Sequence, residues 1–196
     1  ETSEKLKNEK VSIAEPAFLF NNLFIRVDLL RKENNSLTIY EVKSKSWGYE
    51  GVDDQEFKVF IKENKRGVNK GKRVLDSNWK FYLYDIAFQR YVVKKLFPEM
   101  DVKTNLVLAD KLSKTSVDGL NQFFKIENNE GRKSVKVKSD LHISEIGKLP
   151  LKTVNVDQVC DFIETQEIEG KSFENYIEHL SKIYKDNHRE WRKVDH

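Results

Sequence analysis

The chain has 196 residues, with 35 Lys or Arg against 32 Asp or Glu and a formal charge of +3, so it can bury one sizeable core and has no global electrostatic attraction to nucleic acid. Its single cysteine, Cys160, excludes a disulfide framework and a multi-thiolate zinc or iron–sulfur site, and His142, His179, His188 and His196 are scattered without ligand spacing. No apolar run approaches the ~18 residues a membrane span needs and no signal-peptide pattern appears, which gives a cytoplasmic expectation; Glu1 in place of methionine gives the expectation of a segment with sequence missing at either end.

Residues 1–10 are polar and expected to fray. The run 23–30 (LFIRVDLL) reads as a strand, 32–36 (KENNS) as a turn, and 37–43 (LTIYEVK) as a second strand, together a hairpin. Residues 47–76 form an irregular, basic stretch with Lys62, Lys65, Arg66, Lys70, Lys72 and Arg73; a loop this long in a compact domain is usually functional or disordered. Tyr82, Ile86, Gln89, Val93 and Leu96 recur at helical spacing within 78–97, and Pro98 ends the run. A strand follows at 102–109, with short strands at 122–126 and 134–138 and helices at 156–165 and 172–187. Phe173, Tyr176, Ile177, Leu180 and Tyr184 make an apolar stripe on the last helix, either core or a dock for missing sequence. This order predicts an α/β domain with a mixed sheet packed against helices, at 11–150, and a helical extension at 151–196 that is open to truncation.

LTIYEVK raises a specific question. Side chains alternate along a strand, so Glu41 and Lys43 share a face with Leu37 and Ile39. Either the strand end emerges into water, or a carboxylate and an ammonium are held at the edge of the core. Asp28, Asp85 and Gln89 are further polar residues inside apolar patterns. An unpaired buried carboxylate is costly, which favours function for Asp28. Asp85 also fits a charge near a helix start, and Gln89 a core glutamine bonded to backbone. Two strand-borne carboxylates beside a lysine suit metal-assisted phosphodiester hydrolysis: hard oxygens hold Mg²⁺ or Mn²⁺, the metal lowers the pKa of water, and the lysine offsets developing charge.

Four separated segments, 14–18 (AEPAF), 23–30 (LFIRVDLL), 39–44 (IYEVKS) and 82–92 (YLYDIAFQRYV), resemble the PD-(D/E)XK nuclease superfamily. The likeness is closest to the RecB-like branch, which includes CRISPR-associated exonucleases and uncharacterised bacterial proteins, and it covers about 11–124. It implies a restriction-endonuclease-like fold and a divalent-metal-dependent nuclease. Matched position by position, Glu15, Asp28 and Glu41 would gather the metal with the backbone carbonyl of Val42, Lys43 would be the catalytic lysine, and Gln89 and Tyr91 would orient the site or the nucleic-acid backbone. The segment 47–76 is longer than usual between E-x-K and the glutamine helix, the cysteines of an iron–sulfur cluster are absent, and no helicase signature is present.

The resulting expectation is a Mg²⁺- or Mn²⁺-dependent hydrolase of DNA phosphodiesters, with a protein partner or missing domain open. The alternatives are a catalytically inactive module of the same fold that binds nucleic acid or protein, and a purely structural domain. Lys65, Arg66, Lys72 and Arg73 are candidate DNA contacts beside Tyr91, with Trp47, Tyr49 and Trp79 available for stacking. The same basic run also reads as a solvated insertion.

Overall fold

The structure is a computed structural model that describes residues 2–49, 56–67, 70–129 and 131–185. In chain order the elements are α1 (Thr2–Lys5), β1 (Lys10–Ala14), β2 (Ala17–Phe20), β3 (Leu23–Arg26), β4 (Leu29–Glu33), β5 (Ser36–Trp47), α2 (Glu56–Phe60), β6 (Ile61–Glu63), β7 (Arg73–Leu75), α3 (Lys80–Leu96) and β8 (Asp101–Asp110). A single 3-10 turn (Leu120–Phe123) precedes β9 (Phe124–Asn129), β10 (Arg132–Val137), α4 (Ile143–Ile146), β11 (Leu151–Asn155), α5 (Asp157–Glu164), β12 (Glu167–Ile168), β13 (Lys171–Ser172) and α6 (Phe173–Lys185). The architecture is α/β: a central mixed sheet in the order β1-β4-β5-β8-β11, flanked by helices.

Two compact units divide the chain. The first comprises Glu1–Lys43, Val52–Val107 and Val154–His196. Its core is aliphatic: Val27, Leu30, Leu37, Ile39, Leu83, Ile86, Val92, Val93 and Leu106 are fully buried, and burying each such side chain favours folding by about 1.5–3 kcal/mol. The β4–β5 hairpin turns through Asn34 and Asn35, with Glu33 opposite Ser36; Asn34 has φ 50, a left-handed conformation that Asn adopts more readily than most residues. The β5 burial pattern alternates from Leu37 through Glu41, as a strand packed on one face requires.

α3 presents Ile86, Gln89 and Val93 to the core, as its periodicity predicts, and also packs on α5. Arg90, only 6% exposed, ties these helices by donating to the Asp157 carbonyl at 3.1 Å and the Asp161 carboxylate at 2.6 Å. Asp157 in turn accepts from the backbone N–H and hydroxyl of Thr104 on β8, at 2.6 and 2.7 Å. Beside α6 lies an apolar groove of about 1740 Å³ between the β2–β3 tip and one face of α3. Phe173, Tyr176 and Ile177 of the α6 stripe are buried, whereas Leu180 and Tyr184 remain exposed along that groove.

Several expectations are corrected. The apolar run 23–30 is two strands rather than one: β3 pairs with β2 in a separate hairpin, and β4 pairs with β1 and β5 in the central sheet. Residues 1–10 include a short helix and the start of β1. The stretch 47–76 contains the end of β5, α2 and the β6–β7 hairpin, with 50–55 and 68–69 outside the described residues. Trp47 and Trp79 are 2% and 3% exposed, hence core residues unavailable for stacking. The segment from 151 is not a separate helical extension, since β11 is a strand of the central sheet and α5 packs on α3.

The second unit comprises Ser44–Gly51 and Leu108–Thr153. Its principal element is the antiparallel β9–β10 ribbon, with Val135 opposite Ile126. Gly147 adopts φ 61, and a Cβ there would stand 2.3 Å from the Ser116 hydroxyl, which accepts from the Lys148 N–H at 2.6 Å; only glycine fits that turn. Among the described residues no helix is long and apolar enough to cross a membrane.

Candidate active site

The site grows from the point where the chain changes sheets. Between β3 and β4 the Val27 N–H donates to the Pro16 carbonyl at 3.1 Å, and the Glu15 N–H donates to the Asp28 carbonyl at 2.9 Å. These bonds pin the bend at Asp28. Leu29 lies opposite Tyr40, so one step back along β4 brings Asp28 level with Glu41 and Val42. There the half-buried Asp28 carboxylate accepts the Val42 N–H at 2.8 Å. Register, unreadable in the sequence, is thus what brings the two acidic residues together.

Glu41 and Lys43 do share the core face of β5. Glu41 is 5% exposed, and the strand continues to Trp47, so the strand does not emerge into solvent at this point. α3 supplies the other half of the site, with Asp85 and Gln89 one turn apart on one side. The Lys43 ammonium donates to Glu41 Oε1 at 2.6 Å and Asp85 Oδ2 at 2.7 Å, and lies 5.8 Å from the centre of the Tyr82 ring. The Gln89 amide nitrogen donates to Glu41 Oε2 at 2.9 Å and Asp85 Oδ1 at 3.3 Å. A flipped amide would aim its oxygen at two carboxylates, so the network fixes its orientation. Gln89 Oε1 is then a buried acceptor with no protein partner, the kind of atom that a water or ion ordinarily satisfies.

Burial pushes the Glu41 carboxyl above the ordinary glutamate value; the bonds from Lys43 and Gln89 offset this only in part, and the charge of Asp28 adds to the rise. Burial works against the Lys43 ammonium, but its bonds to Asp85 and Glu41 outweigh that, and its pKa lies above the usual lysine value. Lys43 is therefore a fixed cation at neutral pH rather than a base.

The other expected residues lie elsewhere. Glu15 is exposed, in a left-handed backbone conformation with φ 50, and its tie to the site is the backbone bond to Asp28. Tyr91 is corrected as a nucleic-acid contact: it is 9% exposed, packs edge-on against Phe173, and donates its hydroxyl to Glu174 at 3.1 Å. Burial, then that carboxylate, pushes its phenol up to about 12. Lys65, Arg66, Lys72 and Arg73 are exposed on and around the β6–β7 hairpin, Arg73 with its guanidinium 5.6 Å from the Phe162 ring. Asp85, read in the sequence as equally a helix-start charge, proves to be the second anchor of Lys43. Its spacing with Tyr82 and Gln89, at i, i+3 and i+7, was the available signal.

Hard-oxygen chemistry gives the donor set its fit to a divalent cation. Among the described residues no three His, Cys, Asp or Glu side chains stand where one ion could take all of them, so Glu15 is not gathered with Asp28 and Glu41. Mg²⁺ needs fewer, being ordinarily held by one or two carboxylates with waters. The Asp28 and Glu41 carboxylates, with the carbonyl of Val42, are the residues that would hold such an ion, and the raised pKa of Glu41 marks a carboxylate that an added positive charge would relieve. No family model, curated protein or solved structure matches the chain.

Proposed function

We propose that the chain is a PD-(D/E)XK-type nuclease, restriction-endonuclease-like in fold and RecB-like in affinity, that hydrolyses DNA phosphodiesters with Mg²⁺ or Mn²⁺. The observation that carries the reading is the part-buried cluster in which Glu41, Lys43, Asp85 and Gln89 interlock, with Asp28 beside it. Placing several charged groups at the edge of an aliphatic core costs more than hydrophobic residues of the same volume would, and perturbed, partnered groups of this kind gather at functional sites.

Asp28, Glu41 and the Val42 carbonyl would hold the metal, which when bound supplies an acidified water and a Lewis acid for the phosphoryl oxygen. Lys43 sits within reach of Glu41 and keeps its proton, so it contributes a positive charge where the scissile phosphate gains negative charge. Asp85 holds the ammonium from the other side, and Gln89 fixes the Glu41 carboxylate. Both are positioning residues. Cleavage of end-labelled single- and double-stranded DNA with Mg²⁺, Mn²⁺ or EDTA tests the reading: cleavage that needs metal and disappears in Lys43→Ala is expected, and metal-independent or Lys43-independent cleavage overturns it.

A second reading rests on a specific feature. Lys43 is already bound by two carboxylates and Asp28 by a backbone N–H, so the cluster satisfies itself and would serve equally as the ion network of a catalytically silent module binding nucleic acid or protein. Such a module shows no cleavage by the intact chain and no Mn²⁺ binding that depends on Asp28.

A further inference from the structure

We propose that the β9–β10 ribbon is a duplex-binding arm that grips the phosphate backbone of double-stranded nucleic acid. The surface lies in the second unit and uses none of the residues of the candidate active site. From Phe124 to Lys138 the sequence holds five cations (Lys125, Arg132, Lys133, Lys136, Lys138) against two carboxylates (Glu127, Glu130), a formal +3 equal to that of the whole chain. A near-neutral protein thus carries a local excess of positive charge on one hairpin.

The register shows why this charge calls for an external partner. Residues directly opposite each other in an antiparallel pair share a face, and Lys125 stands opposite Lys136. Like charges in that relation destabilise a ribbon, and among the described residues only Glu127 answers them, 3.7 Å from Lys136. Lys125, Lys133 and Lys138 make no ion pair among the described residues; Lys138 instead lies 5.8 Å from the centre of the Phe123 ring. A lysine pair held in this geometry is stabilised by a polyanion.

The opposite face carries Phe124, Ile126, Val135 and Val137, and Ile126 and Val135 are 76% and 62% exposed. A two-stranded hairpin with an open apolar face is marginal alone. A ribbon of this width fits the major groove of a duplex with its Lys125–Lys136 face turned to the phosphates.

Fluorescence anisotropy of a short labelled DNA duplex, in EDTA and across a salt series, tests the proposal. The intact chain is expected to bind with a steep salt dependence. Lys125→Glu/Lys136→Glu should weaken binding by about tenfold or more, and Lys125→Ala/Lys136→Ala should lower the log–log salt slope by about 2. The alanine pair removes a like-charge contact and should fold normally by circular dichroism. Equal binding by these variants, no duplex binding by the intact chain, preference for single strands, or a loss seen instead in Lys65→Glu/Arg66→Glu would each overturn the arm. Ribbon-dependent binding without any metal-dependent cleavage would sink the nuclease reading and leave the arm standing.

Discussion

Replacing Lys43 by Met removes the ammonium while keeping the length of its stem, and leaves Glu41 in the core with the Gln89 amide as its remaining side-chain donor. The pair is largely sheltered, with side-chain exposures of 19% for Lys43 and 7% for Glu41. Breaking a fully buried pair costs about 3–5 kcal/mol. Asp85, the other partner, is 43% exposed, so solvent screens that contact and about 2 kcal/mol is the reasoned loss. For a chain of this size that corresponds to a fall of about 4–8 °C in Tm.

The sign of the pH dependence follows from Glu41, whose folded pKa is already raised. A carboxyl with a raised folded pKa binds more protons folded than unfolded between its ordinary value and that raised value, so stability declines as pH rises through the window. Losing Lys43 raises it further and widens the window upward. The destabilisation should therefore be smaller at about pH 5 than at about pH 8. Urea denaturation of both proteins at the two pH values measures it, and in a Glu41→Gln background the cost of Lys43→Met should shrink by about 1 kcal/mol. Equal losses at both pH values, or an undiminished cost in that background, would refute the buried pair as the cause.

Glu41→Gln keeps the side-chain volume and exchanges the burial cost of a carboxylate for one acceptor lost to Lys43 or Gln89, so its Tm at neutral pH should stay within about 4 °C of the parent while cleavage falls by about 100-fold or more. Tyr91→Phe loses the hydroxyl bond to Glu174 and should cost about 1 kcal/mol in chemical denaturation, with cleavage unchanged because the ring packs against α6. Cys160 is fully buried, and burial pushes its thiol up to about 11 despite the Thr104 and Arg90 contacts; it should resist an aromatic disulfide reagent at neutral pH and react only after unfolding in urea.

Local periodicity made some of this legible and tertiary choice hid the rest. The faces of β5 and α3 follow from periods of 2 and 3.6, so Glu41, Lys43 and Gln89 were placed correctly on core-facing positions. The break at Val27–Asp28 was hidden because no Gly or Pro interrupts LFIRVDLL; it arises where the run leaves its pairing with β2 for β1 and β5. Trp47 and Trp79 flank a basic stretch, and only packing could decide that they are core. β11 carries one fully buried residue, Val154, too thin a pattern to read as a sheet strand. Tyr91 is different: two positions from Gln89 on a helix means the opposite side, so its distance from the cluster could have been read directly.

The most direct test of the central claim is the rate of Mn²⁺-dependent cleavage of an end-labelled duplex by Glu41→Gln beside the parent, with Tm recorded on the same samples. Cleavage by the parent that EDTA abolishes, lost in a variant that melts within about 4 °C of it, is the predicted result. A parent without metal-dependent cleavage, or a variant that cleaves as fast as the parent, would contradict a metal and phosphodiester site at Asp28, Glu41 and Lys43.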